Sequence, residues 1–181
     1  MLGAMSTAAR EKTLLLMRHA KAEEGLGKPD HDRELAPRGR RDAKAAGRWL
    51  HEQGLVPDLV ICSTAQRTRQ TWEEVCRGGL HTEFVEYRRS VYLGGSEQTL
   101  ETIREDAGET STVLLVGHNP TMAQLTSLLT DGEGSRDAHE ALGHGFVTSG
   151  LAVLSYAGSW ADLDLGTCAL TRFHVSRGQG G

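Results

Sequence analysis

Short, wholly apolar runs alternate along the chain with longer segments whose apolar residues recur at helical spacing. "TLLLM" at Thr13–Met17, "PDLVICS" at Pro57–Ser63 and "TVLLV" at Thr112–Val116 are continuous apolar runs bounded by polar or turn residues. Such runs predict short strands covered on both faces. From Pro37 to Gln53, Ala43, Ala46, Gly47 and Leu50 share one helical face, with Pro37 suited to a first helical position and Gly54 to a stop. In "STAQRTRQTWEEVC", Ser63 and Gln66 match a capping box and predict a helix starting just after the strand. In "GHNPTMAQLTSLL", Asn119 reads as an N-cap, Pro120 as the first helical residue, and Leu125, Leu128 and Leu129 as the buried face. A weak strand is expected at Thr82–Glu86 and a helix at Ser96–Glu105. "TSGLAVLSYA" and "DLDLGTCALTRFHV" read as a closing hairpin turning near Gly158-Ser159. "DGEGSRDAHEALGHG" reads as a polar loop.

Strands alternating with helices predict an α/β fold with a mostly parallel central sheet, helices on both sides, and a C-terminal antiparallel hairpin. At 181 residues the chain fits a single domain. Its expected extent is residues 13–175, after a loose leader at 1–12 and before a flexible tail at 176–181. Hydrophobic content of 38% and charged content of 24% predict a packed core. A net charge of −4 and a pI near 6.1 give no basic excess for nucleic acid, and no apolar run is long enough to span a membrane. Cys62, Cys76 and Cys168 are few, odd in number and without paired spacing, which fits a reducing cytoplasm rather than a disulfide framework. No zinc-ligand spacing is present, so neither a metal nor another cofactor is expected.

Candidate chemistry sits at the strand ends. Ligands of open α/β sheets bind outside the carboxyl ends of the strands. Arg18-His19 follows the first strand, Ser63 to Arg67 the second, and His118-Asn119 the strand beginning at Thr112. If these strands are neighbours, two arginines, two histidines and two helix N-termini meet at one crevice. Helix amides and guanidinium forks both favour a phosphate dianion. An unprotonated imidazole among those cations can act as a nucleophile toward phosphorus, with the cations stabilising the transition state and no metal required. Arg18, Arg67 and Asn119 are the candidate substrate contacts. Arg69 falls elsewhere on its helix, and His31, His51, His81, His139, His144 and His174 read as surface or loop residues.

These residues resemble the histidine phosphatase superfamily. "LLLMRHAKAE" resembles its Arg-His-Gly signature with Ala20 in place of glycine, "ICSTAQRTRQT" its second motif, and "VLLVGHNP" its second-histidine motif. "DHDRELAPRGRRDA" and "TSGLAVLSY" are similar to segments of the short SixA-like branch, and the likeness runs from about Leu14 to Tyr156 in the same order. The resemblance implies a phosphoglycerate mutase-like three-layer α/β/α sandwich. It implies His19 as the nucleophile, with Arg18, Arg67 and His118 completing the phosphate pocket. Ala20 narrows the room beside the nucleophile, and Ala36, where relatives often carry threonine, weakens a helix cap. The short span from Glu86 to Ser96 predicts a shallow site, suited to a phosphate displayed on a protein. The branch is associated with phosphohistidine on signalling proteins, so a phosphorylated protein is the leading partner and a small phosphorylated molecule the second. A proton donor, if used, would be Asp32 or Glu86. The competing readings are a broad phosphomonoesterase or mutase for small molecules, and a phosphate-binding module without turnover.

Overall fold

A computed structural model describes residues 10–179. The strands are β1 (Glu11–Arg18), β2 (Leu59–Ser63), β3 (Val85–Arg88), β4 (Thr112–Gly117), β5 (Thr130–Gly134), β6 (Gly150–Ala157) and β7 (Cys168–Val175). The helices are α1 (Pro37–Glu52), α2 (Gln66–Arg77), α3 (Arg89–Leu93), α4 (Ser96–Asp106), α5 (Thr121–Leu129) and α6 (Arg136–Gly143). The strands form one seven-stranded sheet in the order β3-β2-β4-β1-β6-β7-β5. β3, β2, β4 and β1 run parallel, β6 is antiparallel to both β1 and β7, and β5 pairs parallel with β7. The expected α/β class, mostly parallel sheet and antiparallel β6–β7 hairpin are all present.

Successive residues of a strand point to opposite faces, so an uninterrupted apolar run must feed two cores. Leu14 and Leu16 of β1, Ile61 of β2 and Val113 and Leu115 of β4 join one core with Ile103 of α4 and Met122, Leu125 and Leu129 of α5. Leu15, Met17, Val60, Cys62, Leu114 and Val116 join the other, against Ala46 and Leu50 of α1 and Trp72 and Val75 of α2. The three layers follow directly. No helix among the described residues is long and apolar enough to cross a membrane.

Several expectations need correction. The strand expected at Thr82–Glu86 lies at Val85–Arg88. The expected polar loop holds β5 and α6, and Ser135 caps α6 by accepting from the Ala138 amide. Neither predicted cap near the site forms. α2 begins at Gln66 after Ala65, and α5 at Thr121 after Pro120, both without a side-chain cap. Ser63 is instead the last residue of β2, and Asn119 is drawn into a contact with another loop. Ala36 precedes α1 with no side-chain cap, as its methyl dictates. The hairpin connection is longer than a turn at Gly158-Ser159, since a 3-10 turn at Trp160–Asp162 intervenes. Glu11 and Lys12 of the expected leader belong to β1, while residues 1–9 lie outside the described residues. Within the expected tail, Ser176 is buried and the Gly178 amide donates to Asp42 Oδ1 of α1 at 2.9 Å, so those residues are docked.

Helices α1 and α2 pack through Gly47, whose missing side chain lets the Val75 carbonyl approach the α1 backbone closely; a methyl there would lie well inside van der Waals contact of that oxygen. Alanine is about 1 kcal/mol better than glycine inside a helix. Overpacking against rigid backbone costs about 1–3 kcal/mol, and more where nothing can move aside. Gly47→Ala is therefore expected to lower stability. A urea titration in which the variant's midpoint equals or exceeds that of the parent would contradict this account of the α1–α2 contact.

Candidate active site

Adjacent parallel strands β1 and β4 are in register at Arg18 and Gly117, so the next residue of each, His19 and His118, emerges at the same sheet edge. The helices that follow them pack on opposite faces, α1 on one and α5 on the other. A crevice opens where such connections diverge. The His19 and His118 ring centroids lie 5.3 Å apart, so the expected convergence of the two motifs is present.

Two backbone bonds hold His19. Its amide donates to the Gly117 carbonyl at 3.0 Å, its carbonyl accepts from the Ser149 amide at 3.2 Å, and Ser149 is itself buried at a positive φ of 60°. The next residue, Ala20, donates its amide to Thr71 Oγ1 at 3.0 Å. The Ala20 methyl packs with Leu35 and Ala43, so the alanine that replaces glycine is absorbed by a small apolar cluster. The ring Nδ1 of His19 lies 2.7 Å from the Ala20 carbonyl. A carbonyl can only accept, so Nδ1 carries the proton and Nε2 keeps its lone pair. Burial lowers the His19 pKa to about 4; the Ala20 carbonyl opposes that shift, and Arg67, Arg18 and Arg33 reinforce it.

The cations are fixed from several elements. Arg18, at the end of β1, donates Nη1 to the Phe146 carbonyl at 3.0 Å, and its Nε is buried without a protein partner. Arg67, in the first turn of α2, is only 6% exposed. It donates Nη1 to the Asp30 carbonyl at 2.7 Å and Nη2 to Asp30 Oδ2 at 3.1 Å, leaving Nε without a partner. His118 Nε2 lies 2.7 Å from the Ser63 hydroxyl, and its Nδ1 is buried and unpartnered. Burial, then the neighbouring His19 and Arg67, lowers the His118 pKa to about 3. Asn119 donates Nδ2 to the Phe146 carbonyl at 2.7 Å, sharing that acceptor with Arg18. Arg18, His19, Arg67, His118 and Asn119 thus belong to one site.

Residues not singled out from the sequence complete it. Asp30 begins a 3-10 turn (Asp30–Asp32) in the β1–α1 connection and touches Arg67. Tyr92 of α3 donates its hydroxyl to Asp30 Oδ2 at 3.1 Å, and its ring meets His118 edge-on at 5.7 Å. His31 also packs against Tyr92, with centroids 4.8 Å apart and Nε2 3.0 Å from Thr64 Oγ1. His31 is thus part of the site rim and not an isolated loop histidine. The "DHDR" segment contains Asp30 as well as the Asp32 considered from the sequence, but only a fold could tell which one faces Arg67. Asp32 borders a separate groove with Lys28, Glu34 and Gln66, and Glu86 pairs with Arg88 at 2.9 Å. Arg69 donates to the Thr64 carbonyl and lies over the Tyr87 ring, 4.2 Å from its centroid. Among the described residues no group of three or more His, Cys, Asp or Glu is placed to hold a metal ion.

Chemically, the site offers a buried, unpartnered Nε–H on each of two guanidinium groups beside an unprotonated imidazole nitrogen. Such a cup suits a tetrahedral oxyanion, with the nucleophile close to its central atom.

Comparison with known proteins agrees with this geometry. The family described as histidine phosphatase superfamily (branch 1) matches residues 14–89, which contain Arg18, His19 and Arg67. An uncharacterized protein of Mycobacterium tuberculosis is 41% identical over 162 residues, covering 89% of this chain and all of its own. A candidate phosphohistidine phosphatase SixA from Nakamurella multipartitia is 38% identical, with a TM-score of 0.82 over 93% of this chain and 98% of that one. Its counterpart from Agrobacterium tumefaciens is 34% identical, with a TM-score of 0.73 over 90% and 97% of the two chains. With residues 14–89 matched by that family and about nine-tenths of its length matched by these relatives, the chain belongs to the histidine phosphatase superfamily, in the SixA-like branch.

Proposed function

We propose that this protein is a metal-independent phosphatase that removes the phosphoryl group from phosphohistidine on a partner protein. The observation that carries the reading is the His19 ring: Nδ1 is committed to the Ala20 carbonyl, and Nε2 is left with its lone pair beside Arg18, Arg67 and His118. In the first step His19 Nε2 forms a bond to phosphorus as the bond to the leaving atom breaks. The covalent phosphohistidine enzyme is then hydrolysed by water, releasing phosphate and restoring the imidazole. Arg18, Arg67 and His118 hold the equatorial oxygens as charge develops on them.

The substrate class is supported by the leaving group and by access. Imidazole leaves readily once protonated, so no carboxylic acid must be kept beside the cup. The α3–α4 region adds only one short helix near the site, and His19, His118 and Tyr92 remain partly open to solvent, as docking onto a protein requires. The same features allow a small phosphomonoester, so a substrate panel separates the two. Release from sugar or glycerate phosphates that outpaces release from phosphohistidine protein would favour the small-molecule reading. Stable phosphate binding without turnover would favour a binding module. Three free cysteines, two of them buried, support a place in the reducing cytoplasm.

His19→Ala is expected to abolish phosphate release from phosphohistidine protein, and a variant with near-parental turnover would rule out His19 as nucleophile. Arg67→Ala should lose about 2–4 kcal/mol of transition-state stabilisation, roughly 30- to 1,000-fold in kcat/KM. Steady-state rates within a few-fold of the parent would remove Arg67 from that role.

Both site imidazoles have folded-state pKa values below the ordinary 6.5, so the unfolded chain binds more protons than the folded one as pH falls below that value. Stability associated with these rings is present above pH 6.5 and declines from there toward about 4 for His19 and about 3 for His118. Nitrogen-15 spectra of the histidine rings should therefore show His19 and His118 still neutral at pH 5.5. Midpoints near 6.5 would contradict the desolvated cup.

A further inference from the structure

We infer that Asp30 and Tyr92 form a leaving-group subsite that receives the protonated imidazole ring of the substrate, which makes Asp30 a specificity-determining residue. The inference rests on the phosphohistidine reading given above and deepens it.

Asp30 stands at the mouth of the cup. Arg67, which holds the phosphoryl group, is clamped to it at two points, and Tyr92 reaches from the edge of the His118 ring to the Asp30 carboxylate. Three of the roughly four lone-pair positions of a carboxylate are taken, by Arg33 on Oδ1 at 3.2 Å and by Arg67 and Tyr92 on Oδ2. Oδ1 keeps an acceptor position, and the side chain is 54% exposed. His31, Tyr92 and His118 succeed one another edge to face and form an aromatic wall beside it. A carboxylate next to an aromatic wall matches a flat cationic ring with an N–H at its edge. An aryl phosphate such as 4-nitrophenyl phosphate presents no cationic ring and no N–H to that carboxylate.

Asp30 is not a proton donor. Partial burial works to raise its pKa, but hydrogen bonds from Arg33, Arg67 and Tyr92 and the charge of Arg67 outweigh burial and hold it at about 2. Its part is to favour the imidazolium form of the bound phosphohistidine. As His19 Nε2 bonds to phosphorus, the P–N bond of the substrate breaks and its electron pair stays on the departing nitrogen. That pair cancels the ring's positive charge. The ring leaves as neutral imidazole with its proton on the other nitrogen, and no proton changes hands.

The test compares kcat/KM of the full chain and its Asp30→Asn variant on two probes: a histidine-containing protein phosphorylated with phosphoramidate, and 4-nitrophenyl phosphate. Both activities should fall, because Arg67 loses a charged anchor. The phosphohistidine-to-aryl ratio should fall at least tenfold further. Asp30→Ser on the same half-exposed turn replaces the asparagine variant if that one does not fold. If the parent dephosphorylates the phosphohistidine protein but the variant loses both activities in equal proportion, Asp30 is only the anchor of Arg67 and the inference is overturned alone. If the parent turns over only 4-nitrophenyl phosphate, the phosphohistidine reading fails and the inference with it.

Discussion

The parallel ladder between β1 and β4 is the constraint on which the site depends. One register sets Arg18 opposite Gly117, and from it follow the His19–Gly117 backbone bond and the meeting of His19 with His118. A one-residue slip would reverse every side chain of β1 and exchange its two buried faces. Because Leu14 and Leu16 serve one core and Leu15 and Met17 the other, the cores and the catalytic register are specified by the same residues. The site therefore sits at the ends of two buried central strands, with a rigidity that surface loops could not provide.

Such placement carries a cost. Arg18 Nε, Arg67 Nε and His118 Nδ1 are buried without protein partners, and each such group is unfavourable by about 1–3 kcal/mol when left unmade. The same burial lowers both imidazoles and keeps His19 a free base. Desolvation thus weakens the fold locally and, in one arrangement, leaves the proposed nucleophile unprotonated. The strained Ser149, whose amide holds the His19 carbonyl, belongs to the same pattern of strain kept at a functional site.

Much of this was legible in the sequence where one local pattern sufficed. The apolar runs of β1, β2 and β4, the α1 face with its Gly47, and the placement of Arg18, Arg67 and His118 at strand-to-helix junctions all depend on near neighbours. What sequence reading missed depends on distant partners. Ser63 looked like a cap because Gln66 follows it, yet its hydroxyl lies against His118, 55 residues away. Asn119 looked like a cap beside Pro120, but the Phe146 carbonyl takes its side-chain amide. β5 hides in a Gly-rich stretch, Thr130–Gly134, because its strand character comes from pairing with β7 and not from its own side chains. Asp30 and Asp32 are indistinguishable as letters. Only the 3-10 turn sets one toward Arg67 and the other toward an outer groove.

The arginines also limit what chemistry can be stored beside them. A carboxyl group needs a raised pKa to donate a proton near neutrality. Burial pushes Asp30 up, but the hydrogen bond from Arg33, the charge and hydrogen bond of Arg67 and the Tyr92 hydroxyl together drive it the other way. A cup strong enough to hold a phosphoryl dianion thus keeps its nearest carboxylate ionised. Larger, enclosed sites can escape by placing an acid farther off in an apolar pocket, whereas an open site with Asp30 clamped at its mouth cannot. Leaving groups that arrive already protonated fit that constraint, and a phosphorylated imidazole is one of them.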